Sequence, residues 1–139
     1  MRIVLDTNVL VSALFFRGYP ERLLDLILDS RLTAVATAEI IAEYRATVER
    51  LASRYSQRSP IAPETIFERL LVIPQTNAVH VCRDSDDDKF ISCAVDGGCL
   101  YIVSGDNDLL ALGNHMGVCI CTVAQFLTEF YQKHSFAPH

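Results

Sequence analysis

Residues 2–8 read Arg2-Ile3-Val4-Leu5-Asp6-Thr7-Asn8. The apolar, partly β-branched run is too short for a helix and suits a strand buried on both faces. It closes on Asp, Thr and Asn, residue types that cap helix N-termini, so residues 2–5 read as a buried strand feeding a helix.

The same grammar recurs along the chain. Pro20 suits a first helical turn, and Leu23, Leu24, Ile27 and Leu28 recur at helical spacing, which predicts a helix over 21–29. Thr33-Ala34-Val35-Ala36 is a second short strand, after which Thr37 caps a long helix with the apolar stripe Ile40, Ile41, Tyr44, Val48, Leu51 and Tyr55. Residues 56–63 form a loop. Pro63 opens a helix carrying Ile66, Phe67, Leu70 and Leu71 and ended by Pro74. Residues 78–82 read as a third strand and residues 87–96 as a helix with Phe90, Ile91 and Ala94 inward, closed by Gly97-Gly98. Leu100 to Val103 is a fourth strand, Leu109 to Leu112 a short helix, Val118 to Cys121 a fifth strand and Val123 to Tyr131 the last helix. Short apolar strands alternating with amphipathic helices imply right-handed crossovers. The expected fold is therefore α/β, a three-layer α/β/α arrangement around a central parallel sheet of about five strands. Residues 1–132 are expected to form one domain, and 133–139 a flexible tail.

The chain has 139 residues, 50% of them hydrophobic and 21% charged. That supports one globular core, since a chain of this size buries roughly 70% of its unfolded surface. Its longest apolar runs, such as Val9 to Phe16, stop short of the roughly 18 residues that cross a bilayer, and the N-terminus enters a strand at once. Neither a membrane span nor a signal peptide is expected. The five cysteines form an odd set within apolar stretches, which points to buried thiols in a reduced, cytoplasmic protein.

The net charge is −5, at first sight the wrong sign for a nucleic-acid binder. The excess is concentrated, however. Between Asn77 and Asp108 stand Asp84, Asp86, Asp87, Asp88, Asp96, Asp106 and Asp108 against Arg83 and Lys89, and the remainder of the chain is neutral. In open α/β sheets the working site lies beyond the carboxyl ends of the strands. Asp6 ends strand one, Asp84 to Asp88 follow strand three, and Asp106 follows strand four, so three acidic groups converge on one edge. Uncompensated carboxylates gathered this way repel one another unless a cation sits among them, and hard oxygen donors suit Mg²⁺ or Mn²⁺. The matching chemistry is metal-assisted attack on a phosphate ester. On the long helix, Glu43 and Arg50 are nearly eclipsed, with Arg54 and Arg58 near the same line, an acid followed by a basic track for a polyanion backbone. No glycine-rich phosphate loop follows strand one, which excludes P-loop and dinucleotide-binding sites. A haloacid-dehalogenase phosphatase would need Asp where Asn8 stands. His80 and His115 read as structural.

Asp6-Thr7-Asn8-Val9 after an N-terminal strand, an acid in the following long helix, Asp88-Lys89-Phe90-Ile91-Ser92-Cys93-Ala94, and Tyr101-Ile102-Val103-Ser104-Gly105-Asp106-Asn107-Asp108-Leu109-Leu110 together resemble a PIN domain. More narrowly, the Asp-rich run and the Gly105-to-Leu110 segment are similar to the toxins of bacterial toxin–antitoxin systems related to VapC. The resemblance runs from Met1 to about Phe130. It implies a Mg²⁺- or Mn²⁺-dependent ribonuclease that hydrolyses RNA to 5′-phosphate and 3′-hydroxyl ends. It maps four acidic positions onto Asp6, Glu43, Asp88 and Asp106, with Asp108 as a further ligand and Asn8 and Ser104 around them. Glu39 competes with Glu43, and Asp84 and Asp87 compete with Asp88. The resemblance also implies a homodimer and a neutralising antitoxin. Phe15, Phe16 and Leu14, or the helix between Ile61 and Leu71, offer candidate contact surfaces. A non-catalytic PIN module, a metal-dependent phosphatase and a structure-specific DNA nuclease are the alternatives.

Overall fold

The computed structural model describes residues 1–16, 18–54, 61–76 and 85–134. Strand β1 (Arg2–Leu5) is followed by helices α1 (Thr7–Phe15) and α2 (Tyr19–Leu28). Strand β2 (Thr33–Ala36) leads into α3 (Ala38–Arg54), α4 (Pro63–Phe67) and strand β3 (Leu71–Val72). A 3₁₀ turn over Ser85–Asp87 opens α5 (Asp88–Asp96), after which come β4 (Tyr101–Val103) and α6 (Asn107–Leu110). The chain continues through β5 (Asn114–His115), β6 (Val118–Cys121) and α7 (Val123–His134).

The strands form one sheet in the order β3-β2-β1-β4-β6-β5, parallel except for β5. Helices flank it, giving the three-layer α/β/α architecture. Ile3, Val4 and Leu5 are completely or almost completely buried, as the unbroken apolar run requires of a central strand covered on both faces. The strand order reverses direction at β1, with β2 on one side and β4 on the other. The crevice between the carboxyl ends of β1 and β4 is therefore where such a sheet places its site. The register pairs Leu5 with Val103, so the next residues, Asp6 and Ser104, emerge side by side.

Three stretches differ from expectation. The helix opened by Pro63 ends at Phe67, and Leu71–Val72 extends to pair in parallel with Val35 and Ala36. Leu70 and Leu71 continue the helical apolar period, but the sheet edge offers β2 a ladder partner, and Ile73 N donates to Ala36 O at 3.0 Å. Asn114–His115, expected within a connection, is an antiparallel edge strand, because Met116 and Gly117 both adopt positive φ, 49° and 83°. That pair of conformations closes a two-residue hairpin. Helix α7 runs through His134, and Lys133, expected in the tail, donates from Nζ to Tyr101 Oη at 3.2 Å. The expected strand over 78–82, with His80, lies outside the described residues, as do Tyr55, Arg58, Asp84 and residues 135–139.

Leu14, Ile66 and Phe67 belong to the core, so among the described residues of the candidate contact surfaces Phe16 is the large hydrophobic side chain left substantially exposed. Among the described residues, no helix is long and apolar enough to cross a membrane.

Candidate active site

Asp6 is built into the end of β1 and the start of α1. As N-cap it accepts from Val9 N through Oδ1 at 2.8 Å, and its Oδ2 accepts from Ser104 Oγ. Ser104 Oγ in turn accepts from Asp106 N at 2.9 Å, so one hydroxyl links two acids of neighbouring strands. Asp106 caps α6, taking Asp108 N at 2.7 Å and Leu109 N at 3.3 Å on Oδ1. Both acids are thus held by local backbone donors that also begin a helix, a use of Asp the N-cap preference makes readable in sequence.

Burial raises the Asp6 carboxyl above its usual value of 3.8; hydrogen bonds from Ser104, Val9 and Gly105 pull it down, and the Asp106 charge adds to the rise. A carboxylate desolvated by burial is in the environment that favours either a proton or a metal ion.

Glu43 enters from α3. Its Oε1 lies 2.8 Å from Lys89 Nζ and its Oε2 accepts from Thr7 Oγ1. With Asp6, Thr7, Asn8, Thr47, Asp87, Phe90 and Asp106 it lines a cleft of about 140 Å³ at the carboxyl edge of the sheet. Glu39, one turn earlier, is exposed and accepts from Gln75 Nε2 at 2.7 Å, away from the cleft. The carboxylates of Asp87, Asp106 and Asp108 each bring an oxygen within 4.8 Å of the others. This all-oxygen, anionic donor set fits a hard divalent cation such as Mg²⁺ or Mn²⁺.

The expected residues are therefore only partly brought together. Asp6, Asn8, Glu43 and Asp106 line the cleft, Asp108 joins the carboxylate trio, and Ser104 lies beneath. Among the described residues of the acidic run, Asp87 is the one that lines the cleft, and Asp88 is buried at the first position of α5. The two are adjacent on a helical start, about 100° apart around its axis, so they point to different places. Arg50 and Arg54 lie on the exposed face of α3. Lys89 and Thr7, both bonded to Glu43, were not singled out by sequence reasoning. The signal available for Lys89 was a lone base inside an acidic run. Among the described residues, a larger cavity of about 600 Å³ between β6 and α7 is lined by one acid, Glu129.

A PIN domain family model matches residues 2–108. The chain belongs to the PIN domain family. The match spans Asp6, Glu43, Asp87, Asp106 and Asp108, and PIN domains are generally nucleases. This PIN domain is 32% identical over 144 residues to the uncharacterized protein MJ1680 of Methanocaldococcus jannaschii, covering 94% of this chain and 92% of that one. It also superposes on a chain from the crystal structure of VapBC2 from Rickettsia felis bound to a DNA fragment from its promoter. The TM-score is 0.55 with 14% identity, covering 86% of this chain and 97% of that one, a likeness of fold.

Proposed function

We propose that this PIN domain is a divalent-cation-dependent endoribonuclease of the reducing cytoplasm and the toxin of a toxin–antitoxin pair, acting as a homodimer and neutralised by a partner protein. The observation that carries the catalytic reading is the meeting of Asp6, Glu43, Asp87 and Asp106 in one cleft, with Asp108 beside them, at the switch point of a PIN-family sheet. The toxin and antitoxin parts rest on the family resemblance and on the fold shared with the VapBC2 chain.

Asp87, Asp106 and Asp108 would hold Mg²⁺ or Mn²⁺. Bound there, the ion supplies Lewis acidity to a phosphoryl oxygen and lowers the pKa of water. The chain does the rest by orientation. Ser104 and Val9 N fix the Asp6 carboxylate, and backbone donors fix Asp106, so these charges need not reorganise when a phosphodiester enters. Arg50 and Arg54 extend from the Glu43 side of α3 as contacts for the RNA backbone, which reconciles an acidic protein with a polyanionic substrate.

The test is cleavage of an RNA panel by purified, partner-free protein with Mg²⁺, Mn²⁺ or EDTA, beside folded Asp6→Asn and Asp106→Asn variants. Cutting that needs the cation and is lost in both variants is expected. Unchanged cutting in EDTA or in both variants, or no cutting of any RNA by wild type, would defeat the reading.

A further inference from the structure

We infer that Lys89 is a positioning residue that brings a positive charge from within the chain to the acidic cleft, so that one divalent ion completes the site where two carboxylate-bound ions would otherwise be needed. This rests on the nuclease reading above and concerns how that site is charged.

Lysine side chains normally keep their ammonium in water. That of Lys89 is only 11% exposed. Its Nζ lies 2.8 Å from Glu43 Oε1, donates to the Asp86 carbonyl at 2.5 Å, and sits 5.0 Å from the centre of the Phe90 ring, whose residue lines the cleft. The ammonium is thus held between α3 and α5 by an anion, a carbonyl and an aromatic face. Such a position is favourable only because the partner charge is present, since an unpaired buried ammonium is costly.

The same contacts decide what remains for an ion. Both Glu43 oxygens are engaged, Oε1 by Lys89 and Oε2 by Thr7. Glu43 is not among the carboxylates whose oxygens approach within 4.8 Å of one another; those are Asp87, Asp106 and Asp108. One wall of the cleft gathers the Asp87, Asp106 and Asp108 carboxylates, and at the other the Glu43 charge is already paired from within the chain. A second ion at the Glu43 wall would compete with Lys89 for the same carboxylate.

Manganese binding tests this directly. Mn²⁺ stoichiometry is measured by calorimetry and by electron paramagnetic resonance on wild type, Lys89→Met, Lys89→Gln and Lys89→Arg, each shown to be folded by its circular dichroism melt. The expected result is one ion per chain in wild type and in Lys89→Arg, and a second ion in whichever neutral variant folds, with RNA cleavage first order in Mn²⁺ for wild type. Two ions in wild type, or a single ion in a folded neutral variant, would overturn the inference while leaving the nuclease intact. No ion bound by wild type would remove both.

Discussion

The hydroxyl of Tyr44 donates to the carbonyl of Leu5 at 2.5 Å, and each residue is the immediate chain neighbour of a cleft acid, Glu43 and Asp6. Tyr44 is 1% exposed and stacks parallel to Phe67, with ring centroids 6.4 Å apart. This one buried bond therefore ties α3 to the end of β1 and sets the distance between two carboxylates from separate elements. Tyr44→Phe leaves a buried carbonyl without its donor, which costs about 1–2 kcal/mol. The expected outcome is a lower urea midpoint and about tenfold slower RNA cleavage, the effect of ~1.4 kcal/mol of misplacement. Wild-type stability and rate in this variant would break the link.

Ser104 has a second coupling role. Its hydroxyl donates to Asp6 and accepts from Asp106 N at 2.9 Å, in a fully buried position. Ser104→Ala removes both bonds, and supports of this kind typically change metal affinity by about 10–100-fold. Calorimetry with Mn²⁺ is expected to show weakening in that range. Unaltered affinity in a folded Ser104→Ala protein would mean the hydroxyl does not organise the acids.

Asp6 predicts a conflict between function and stability. Because burial raises its folded value above 3.8, the associated stabilisation is complete below that pH and is lost as pH rises through the folded value. In cation-free buffer Asp6→Asn removes this dependence while preserving an oxygen that can cap α1. The variant's melting temperature is expected to gain on wild type between pH 4 and pH 8, together with loss of cleavage by at least about 100-fold. A wild-type advantage that grows with pH would contradict the sign.

The thiols provide a dependence far from the cleft. Burial pushes Cys93 and Cys121 up to about 12 and Cys99 to about 11, from the usual 9.0. Raised folded values give stabilisation that is present below pH 9 and lost as pH rises through 11 to 12. Urea unfolding should give a smaller free energy at pH 10 than at pH 8, and alkylation of these cysteines at pH 8 should be slow until denaturant is added. Rapid native labelling of all three would show that they are not buried thiols.

Much of the site was legible because strand ends and helix caps coincide. Asp6 and Asp106 each close an apolar run and open a helix, so local chemistry alone located them at the same sheet edge. Glu43 was legible by its helical phase, although its competitor Glu39 is separated from it only by tertiary contact with Gln75. Asp87 and Asp88 could not be told apart from sequence. Consecutive acids differ only in rotation about the helix start, and that rotation is set by the 3₁₀ turn before α5. Strand β3 was hidden because Leu70 and Leu71 fit a helical period equally well, and β5 because its pairing depends on backbone angles at Met116 and Gly117. Lys89 was hidden because its partner, Glu43, is 46 positions away in the chain.

The most direct measurement is the rate of RNA cleavage as a function of Mn²⁺ concentration for wild type, Asp87→Asn and Asp88→Asn, with folding checked by circular dichroism. The account predicts cation-dependent cleavage by wild type, a loss of about 100-fold or more in Asp87→Asn, and saturating Mn²⁺ dependence retained in folded Asp88→Asn. Cleavage independent of the cation, or an Asp87→Asn protein as active as wild type, would contradict it.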